Sequence, residues 1–207
     1  MLKLMNGRVV GATVLIGGLL IILLVCLKLA LVRRPACNGI PRVPTNGDLV
    51  FVEYQSLYAT LIKLATGQPW SHVGLYLNGH VIELAHYPTT ATDSDTDSDN
   101  SLRIIPLQEW LKLNSHRQIH WRKYTGPPIP DMDPREFVLQ HFGTDCIELD
   151  LDLINWMRSL VVWLPPIDRG KTVPQYYCSE FVAKCIQALG VPLDRHPQKY
   201  SPGDFAE

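Results

Sequence analysis

The amino-acid sequence predicts an α+β domain with an antiparallel sheet, preceded by one N-terminal transmembrane helix. Three features lead to this prediction. The first is a run of 19 uncharged residues near the N-terminus, and the second is an Asn-Gly pair between two apolar, alternating segments. The third is an apolar stripe at helical spacing that begins at Cys178. An Asn-Gly hairpin is an antiparallel unit, and a helix packed on it makes an α+β arrangement.

The composition limits the function classes that are open to the chain. Its 207 residues are 46% hydrophobic and include 19 basic and 20 acidic side chains. That is enough for one packed domain with an appendage, and it excludes collagen-like, disordered and disulfide-scaffold proteins. All basic residues of the first 34 occur without an acid, and no Lys/Arg stripe interleaved with aromatics follows them. Nucleic-acid binding is therefore excluded.

Residues 9–32 are predicted to be the transmembrane anchor, with residues 1–8 as its flank. The uncharged part, 9–27, would be about 28 Å long as a helix, close to the ~30 Å core of a bilayer. A cleaved signal peptide and a buried core helix are the alternatives. The apolar run is longer than a usual signal-sequence core, and no small-residue cleavage motif precedes Arg33. We expect a single-pass protein in contact with the lipid bilayer, and the slight excess of basic residues after the span predicts a cytoplasmic domain.

Residues 33–47 are rich in Pro, Gly and Asn and are predicted to be a linker, so that the folded domain occupies residues 48–207. The aspartate-rich segment 89–101 lacks the glutamate and glycine of a calcium loop and is predicted to be a solvated loop. Hydrophobic periodicity and turn residues define the remaining elements. The predicted strands are 49–54, 72–77, 80–85, 102–105 and 118–124, and the predicted helices are 56–66, 107–113, 134–142, 147–163 and 178–190.

The Asn78-Gly79 turn fixes the register of the strands on either side of it. In this register Gly74 lies opposite Glu83, and His72 is the diagonal neighbour of Glu83 on the same face. Diagonal neighbours are roughly 7–8 Å apart before their side chains extend. We therefore expect the Glu83 carboxylate to reach the His72 imidazole and to orient it. The opposite face is predicted to be core and carries Val73, Leu75, Leu77, Ile82 and Leu84.

Cys178 begins the last predicted helix. A thiol in the first turn faces backbone N–H groups and the positive end of the helix dipole, which favours the thiolate and suits an oxyanion. Cys185 lies on the same apolar stripe and is predicted to be a core residue. Cys26, Cys37 and Cys146 have no predicted base nearby. Because an activated thiol needs a base and the base needs an orienting group, a Cys-His-Glu triad is predicted.

Four segments together resemble a known family. They are GDLVF at 47–51, WSHVGLYL with His72, VIEL with Glu83, and YCSEFV with Cys178. This pattern is similar to the permuted papain-like group of the NlpC/P60 superfamily, within the YiiX-like branch that includes poxvirus relatives. The histidine precedes the cysteine, the reverse of papain. The resemblance implies a circularly permuted papain-like fold, with Cys178 as nucleophile, His72 as general base and then acid, and Glu83 as the orienting residue.

The resemblance further implies a membrane-anchored cysteine hydrolase that cleaves an amide, peptide or ester bond through an acyl-thioenzyme, without metal or cofactor. Peptide-, amide- or lipid-type substrates are expected at the membrane. Four aromatic residues near the predicted site are candidate substrate-binding residues: Tyr54, Trp70, Tyr76 and Tyr177.

Three other functions remain open. Lipid acyl transfer or phospholipid cleavage of the lecithin:retinol acyltransferase-like type is the first, although its usual Cys-Glu-His run is replaced here by Cys178-Ser179-Glu180. The second is a membrane-anchored interaction module without turnover. The third is a zinc site made by His72, Glu83 and Cys178, a weak signature beside paired Cys-x-x-Cys spacing.

Overall fold

The computed structural model describes residues 43–86, 100–150, 152, 165 and 173–206. Within these residues the chain forms one seven-stranded sheet with four α-helices, an α+β arrangement. The strands are β1 (Leu49–Glu53), β2 (His72–Leu77), β3 (His80–His86), β4 (Asn100–Pro106), β5 (Gln118–Arg122), β6 (Glu148–Leu149) and β7 (Gln175–Tyr176). The helices are α1 (Leu57–Thr66), α2 (Leu107–Leu113), α3 (Pro134–Phe142) and α4 (Cys178–Ala188), and two 3-10 helices follow at Pro197–Lys199 and Pro202–Phe205.

The strand order is β5-β1-β2-β3-β4-β6-β7, and the sheet is mixed. Neighbours are antiparallel except for β6 and β7, which run parallel. The prediction of a wholly antiparallel sheet is therefore wrong at this edge. The physical reason is the connection: about 25 residues join β6 to β7, and a long crossover permits the parallel pairing that a tight hairpin forbids.

The central hairpin has the predicted turn and register. Asn78 and Gly79 have φ angles of 43° and 80°, the left-handed values that a type I′ turn requires. Leu77 pairs with His80, and Leu75 pairs with Ile82. The predicted core face is confirmed, because its apolar side chains lie in the main buried cluster together with residues of α3 and α4.

The helix boundaries follow from local capping. Ser56 accepts a hydrogen bond from the Ala59 amide at 3.0 Å and begins α1, which ends at Gly67 in the left-handed conformation. Asp133 caps α3 in the same way by accepting hydrogen bonds from two amides of its first turn. These signals are local, and the predicted limits of α1, α2 and α3 agree with the structure to within one residue.

Asp48 and Ser179 tie distant segments to the sheet. The buried Asp48 carboxylate accepts hydrogen bonds from the Trp121 indole at 2.8 Å and from the Tyr124 amide at 2.7 Å, which joins the start of β1 to the end of β5. The Ser179 hydroxyl donates to the Tyr200 carbonyl at 2.7 Å. The second bond fixes the C-terminal segment against α4, beside Cys178.

The predicted apolar helix at 147–163 is wrong at its start, where Glu148–Leu149 form strand β6 instead. A short apolar run fits a buried strand as well as a helix, and here pairing with β4 decides the outcome. Asp150 and Asp152 are not helical either, and the end of the predicted loop at 89–101 is wrong, because Asn100 and Ser101 belong to β4. The remaining residues of these two predictions and the anchor at 9–32 lie outside the described residues. No helix among the residues that the structure describes is long and apolar enough to cross a bilayer.

Candidate active site

His72 and Glu83 meet inside the sheet, as the hairpin register predicts. His72 begins β2, Glu83 lies in β3, and their side chains are almost completely buried. The distance between His72 Nε2 and Glu83 Oε2 is 2.8 Å. A carboxylate at this position fixes the ring orientation and favours the protonated imidazole. The contact is confirmed, and its catalytic role stays a prediction.

Trp110 is a second donor to Glu83 that the sequence does not reveal. Its indole Nε1–H donates to the same oxygen, Glu83 Oε2, at 2.9 Å, and the ring is fully buried. Trp110 lies in α2, which follows β4, the strand paired with β3. No local pattern relates a tryptophan on a short helix to a carboxylate 27 residues earlier. The bond holds the carboxylate in place beneath the imidazole.

The surroundings of His72 favour its charged form. Burial alone would lower the pKa of His72, but the Glu83 carboxylate and hydrogen bonds to Cys178 and Glu83 outweigh burial and raise this pKa to about 10. Since Nε2 faces Glu83, Nδ1 is the ring nitrogen available to the Cys178 thiol. The Tyr54 ring lies against the imidazole with 5.2 Å between ring centroids. The imidazole is therefore held through Nε2 and on one face.

Cys178 is the first residue of α4, as predicted. The residue before it, Tyr177, has extended backbone angles and provides no side-chain cap. The first N–H groups of a helix have no carbonyl partner within the helix, and Cys178 belongs to the turn that carries them. The thiol is partly exposed. The start of the helix thus combines a thiol with backbone N–H groups that could bind an oxyanion.

The pair His72 and Cys178 lines a cavity of about 620 Å³. Two of the four predicted substrate-binding aromatics, Tyr54 and Tyr177, also line it. Trp70 and Tyr76 do not. Trp70 is 2% exposed and stacks on a histidine of β5 within the core. Tyr76 packs against a tryptophan of β5 with 5.7 Å between ring centroids, at the far end of β2 from His72.

The cavity also has lining residues that were not predicted. Tyr58 and Ile62 of α1 pack with Tyr177 and form one wall. Their spacing of four residues on a helix is a signal that could have identified this wall. Arg117, before β5, and Asp150, after β6, line the cavity as well. Their positions depend on the strand order, which the sequence does not predict.

The surroundings of Tyr58, which lines the cavity near Cys178, change the pKa of its hydroxyl. Burial, followed by the nearby Cys178, raises the pKa of the Tyr58 hydroxyl. Its phenol therefore stays protonated at neutral pH and is available as a hydrogen-bond donor beside the nucleophile. The other described cysteines differ from Cys178. Burial raises the pKa of the Cys185 thiol, and Cys146 is exposed on the surface.

The arrangement around His72 differs from a zinc site. One ring nitrogen faces Glu83 and the other is the one available to Cys178, so the three side chains do not direct their donor atoms at a common point. In the described part of the chain, no group of three His, Cys, Asp or Glu residues is arranged to hold a metal ion.

The arrangement can support nucleophilic chemistry by a thiol, with a proton donor and an oriented carboxylate in line behind it. The chain matches no protein-family model, and it matches no curated protein sequence.

Proposed function

We propose that this protein is a membrane-anchored cysteine hydrolase that cleaves an amide, peptide or ester bond through an acyl-thioenzyme. Cys178 is the nucleophile, His72 the general acid and base, and Glu83 the orienting residue. The observation that carries the proposal is the buried His72 imidazole, which bonds Glu83 at 2.8 Å and lines the same cavity as the partly exposed Cys178 thiol. Residues 9–32 hold the domain at a bilayer, and no metal or cofactor takes part.

In the proposed first step, the Cys178 thiolate attacks the substrate carbonyl carbon and forms the carbon–sulfur bond. Backbone N–H groups at the start of α4 stabilise the oxyanion. The carbon–heteroatom bond of the substrate then breaks, and the His72 imidazolium gives its proton to the leaving group. In the second step, neutral His72 takes a proton from water, the hydroxide attacks the thioester, and the acid leaves while Cys178 regains its thiolate.

The motifs around His72, Glu83 and Cys178 support a place in the permuted papain-like group of the NlpC/P60 superfamily. The observed topology is compatible with it, since a helix headed by the cysteine packs on the strands that carry the histidine and the glutamate. The order of histidine before cysteine in the chain is the feature that defines the permutation.

Lipid acyl transfer is a second candidate, favoured by one observation. The cavity wall beside Cys178 is apolar and aromatic, with Tyr58, Ile62 and Tyr177 packed together. Such a wall suits a hydrocarbon chain. The two candidates share the acyl-thioenzyme and differ in the group that accepts the acyl chain, water in one case and an alcohol or amine in the other.

The test of the proposed chemistry is the iodoacetamide alkylation rate of each cysteine, measured by mass spectrometry on the full-length chain as a function of pH. Cys178 is expected to react faster than the exposed Cys146 and the buried Cys185. In a His72→Ala variant this advantage is expected to disappear. Labelling of Cys178 no faster than that of Cys146 would contradict the proposal and favour an interaction module.

A further inference from the structure

The side of the cavity next to His72 carries a positive charge. The Arg117 guanidinium lies 4.4 Å from the centroid of the Tyr54 ring, and Tyr54 in turn lies against His72. Arg117 Nη1 donates to Asn114 Oδ1 at 2.7 Å. Asn114 is fully buried, and its amide donates to the Trp110 carbonyl at 2.9 Å. The guanidinium is therefore positioned by the same helix that positions Glu83.

Sheet topology separates this positive charge from the negative end of the cavity. Arg117 directly precedes β5, and Tyr54 directly follows β1, at the point where Glu53 pairs with Gln118. Asp150 follows β6, and strands β2, β3 and β4 lie between β1 and β6. Neighbouring strands are about 4.8 Å apart, so the two charges lie at opposite ends of the row of strand termini. The cavity is cationic at its β5 end and acidic at its β6 end.

In the proposed mechanism, the cationic end and the acidic end of the cavity face different parts of the substrate. The leaving group receives its proton from His72, so it departs on the side of Tyr54 and Arg117. The acyl group stays on Cys178, beside the apolar wall and Tyr177. An anion on the acyl side would meet Asp150, whereas an anion on the leaving group would meet Arg117.

We propose that the substrate has an apolar acyl group joined to a leaving group that carries a carboxylate or phosphate, and that Arg117 binds this anion. The inference rests on the proposed hydrolase function. A guanidinium matches the geometry of both anions, and Tyr54 supports its face. Arg117 is thus a specificity-determining residue: it contacts the part of the substrate that is released, while Cys178 and His72 carry out bond cleavage.

The test uses the full-length chain and a matched pair of octanoyl esters, one of 4-hydroxybenzoate and one of 4-hydroxybenzamide. Each kcat/KM is divided by the spontaneous hydrolysis rate of the same ester, which removes the difference in leaving-group reactivity. The expected preference for the carboxylate ester is about tenfold, and it should decrease as salt is added. The octanoyl ester of 4-hydroxyphenyl phosphate, compared in the same way, shows which of the two anions is preferred.

Three variants complete the test. Arg117→Gln should bring the preference close to one, and Arg117→Lys should retain part of it. Arg135→Gln, which removes an exposed arginine bonded to Asp145 outside the cavity, should retain all of it. The rate on the neutral ester shows whether each variant is folded. If Arg117→Gln is inactive on both esters, the preference of Arg117→Lys for the carboxylate ester is compared with that of the wild-type protein instead.

The outcomes separate the two proposals. Equal corrected rates in the wild-type protein, or a preference that persists in both Arg117 variants, would overturn the assignment of Arg117 and leave the hydrolase function standing. Failure of the wild-type protein to accelerate the hydrolysis of any of the esters, together with the absence of an octanoyl adduct on Cys178 by mass spectrometry, would overturn the hydrolase function itself and the inference with it.

Discussion

Glu83 is a carboxylate enclosed by the protein. Its side chain is 0% exposed, and one oxygen receives both the His72 imidazole and the Trp110 indole. Moving a carboxylate from water into the protein interior costs roughly several kcal/mol unless an opposite charge and hydrogen bonds offset this cost. The imidazolium and the indole N–H provide that compensation. A buried charge of this kind is a poor means of stabilising a fold, and in the proposed mechanism it orients the base His72.

Substitutions in the triad are expected to differ in severity. Cys178→Ala should abolish turnover of the octanoyl esters because no nucleophile remains, and His72→Ala should lower kcat by about 10²–10⁴. Glu83→Gln should lower kcat by less, because the amide oxygen still accepts the two hydrogen bonds. Steady-state kinetics with circular dichroism as the folding control measure this order. Full activity in the folded Cys178→Ala variant would show that the mechanism is wrong.

The raised pKa of His72 has a consequence for stability. The ordinary value of a histidine is 6.5, and the folded-state value is about 10, so between these values the folded chain binds more protons than the unfolded chain. The contribution of the imidazolium is therefore complete below about pH 6.5 and is lost as the pH rises towards 10.

Urea unfolding between pH 6 and pH 10 measures this loss, and a Cys178→Ala background removes the titration of the thiol. In that background Glu83 still raises the pKa of His72. The free energy of unfolding should fall with increasing pH by up to about 1.4 kcal/mol per unit, and His72→Gln should remove this slope. A slope that is the same with and without His72 would show that the imidazole is neutral in the folded protein.

At the scale of elements, the β2-β3 hairpin needs a glycine at its centre. A Cβ on Gly74 would lie 3.0 Å from Val81 Cγ1, 3.2 Å from Val50 Cγ2 and 3.4 Å from Glu83 Cβ. The first two contacts are tight and require the valine side chains to shift, whereas the third is an ordinary van der Waals contact. Because Gly74 has no side chain, the Glu83 side chain can extend past it and reach His72 on the same face of the sheet.

Gly74→Ala is expected to destabilise the domain by about 1–3 kcal/mol and to lower kcat, because the shift of Val81 moves the strand that also carries Glu83. Urea unfolding and ester kinetics measure the two effects. Gly67→Ala is the matched control: its φ of 69° makes the substitution strained, yet no atom lies within 4 Å of the added Cβ. It should destabilise the fold without lowering kcat. Equal effects of the two variants on kcat would show that crowding around residue 74 is not the cause.

At the scale of the whole molecule, the cavity lies along one end of the sheet, and the proposed catalytic residues come from β2, β3 and α4. Residues before β5 and after β6 line the cavity from opposite sides of the sheet centre. A cavity that spans several strand ends would accommodate an extended substrate of the proposed hydrolase. The proposed anchor would keep this opening close to a membrane surface, where acylated molecules are concentrated.

The anchor proposal predicts that the full-length chain floats with phosphatidylcholine vesicles in a density gradient. The double substitution Leu20→Lys and Leu24→Lys should keep the chain at the bottom, because each central lysine opposes insertion by about 2.5–3.5 kcal/mol. Val43→Lys is the control, since Val43 is exposed and lies outside the predicted span. Wild-type protein that fails to float would contradict the anchor.

Several features of the site follow from the sequence through local rules. The Asn78-Gly79 turn selects one register, and alternation along the strands then places His72 and Glu83 on one face. Helical periodicity begins at Cys178 and ends at the stop signal Gly190, so the sequence predicts a helix whose first residue is Cys178. These predictions depend on turn chemistry and periodicity within short segments, which is why they agree with the structure.

Other features depend on which elements bury one another, and no local pattern encodes that choice. Trp110 reaches Glu83 only because α2 folds back over β3, and Trp70 enters the core because β5 pairs beside β1. The parallel edge of the sheet and the position of Arg117 beside Tyr54 have the same origin. The sequence by itself therefore determined the contact between His72 and Glu83 on the hairpin and the place of the thiol on its helix. The tertiary structure alone decided what surrounds them, because burial and strand pairing act between residues far apart in the chain.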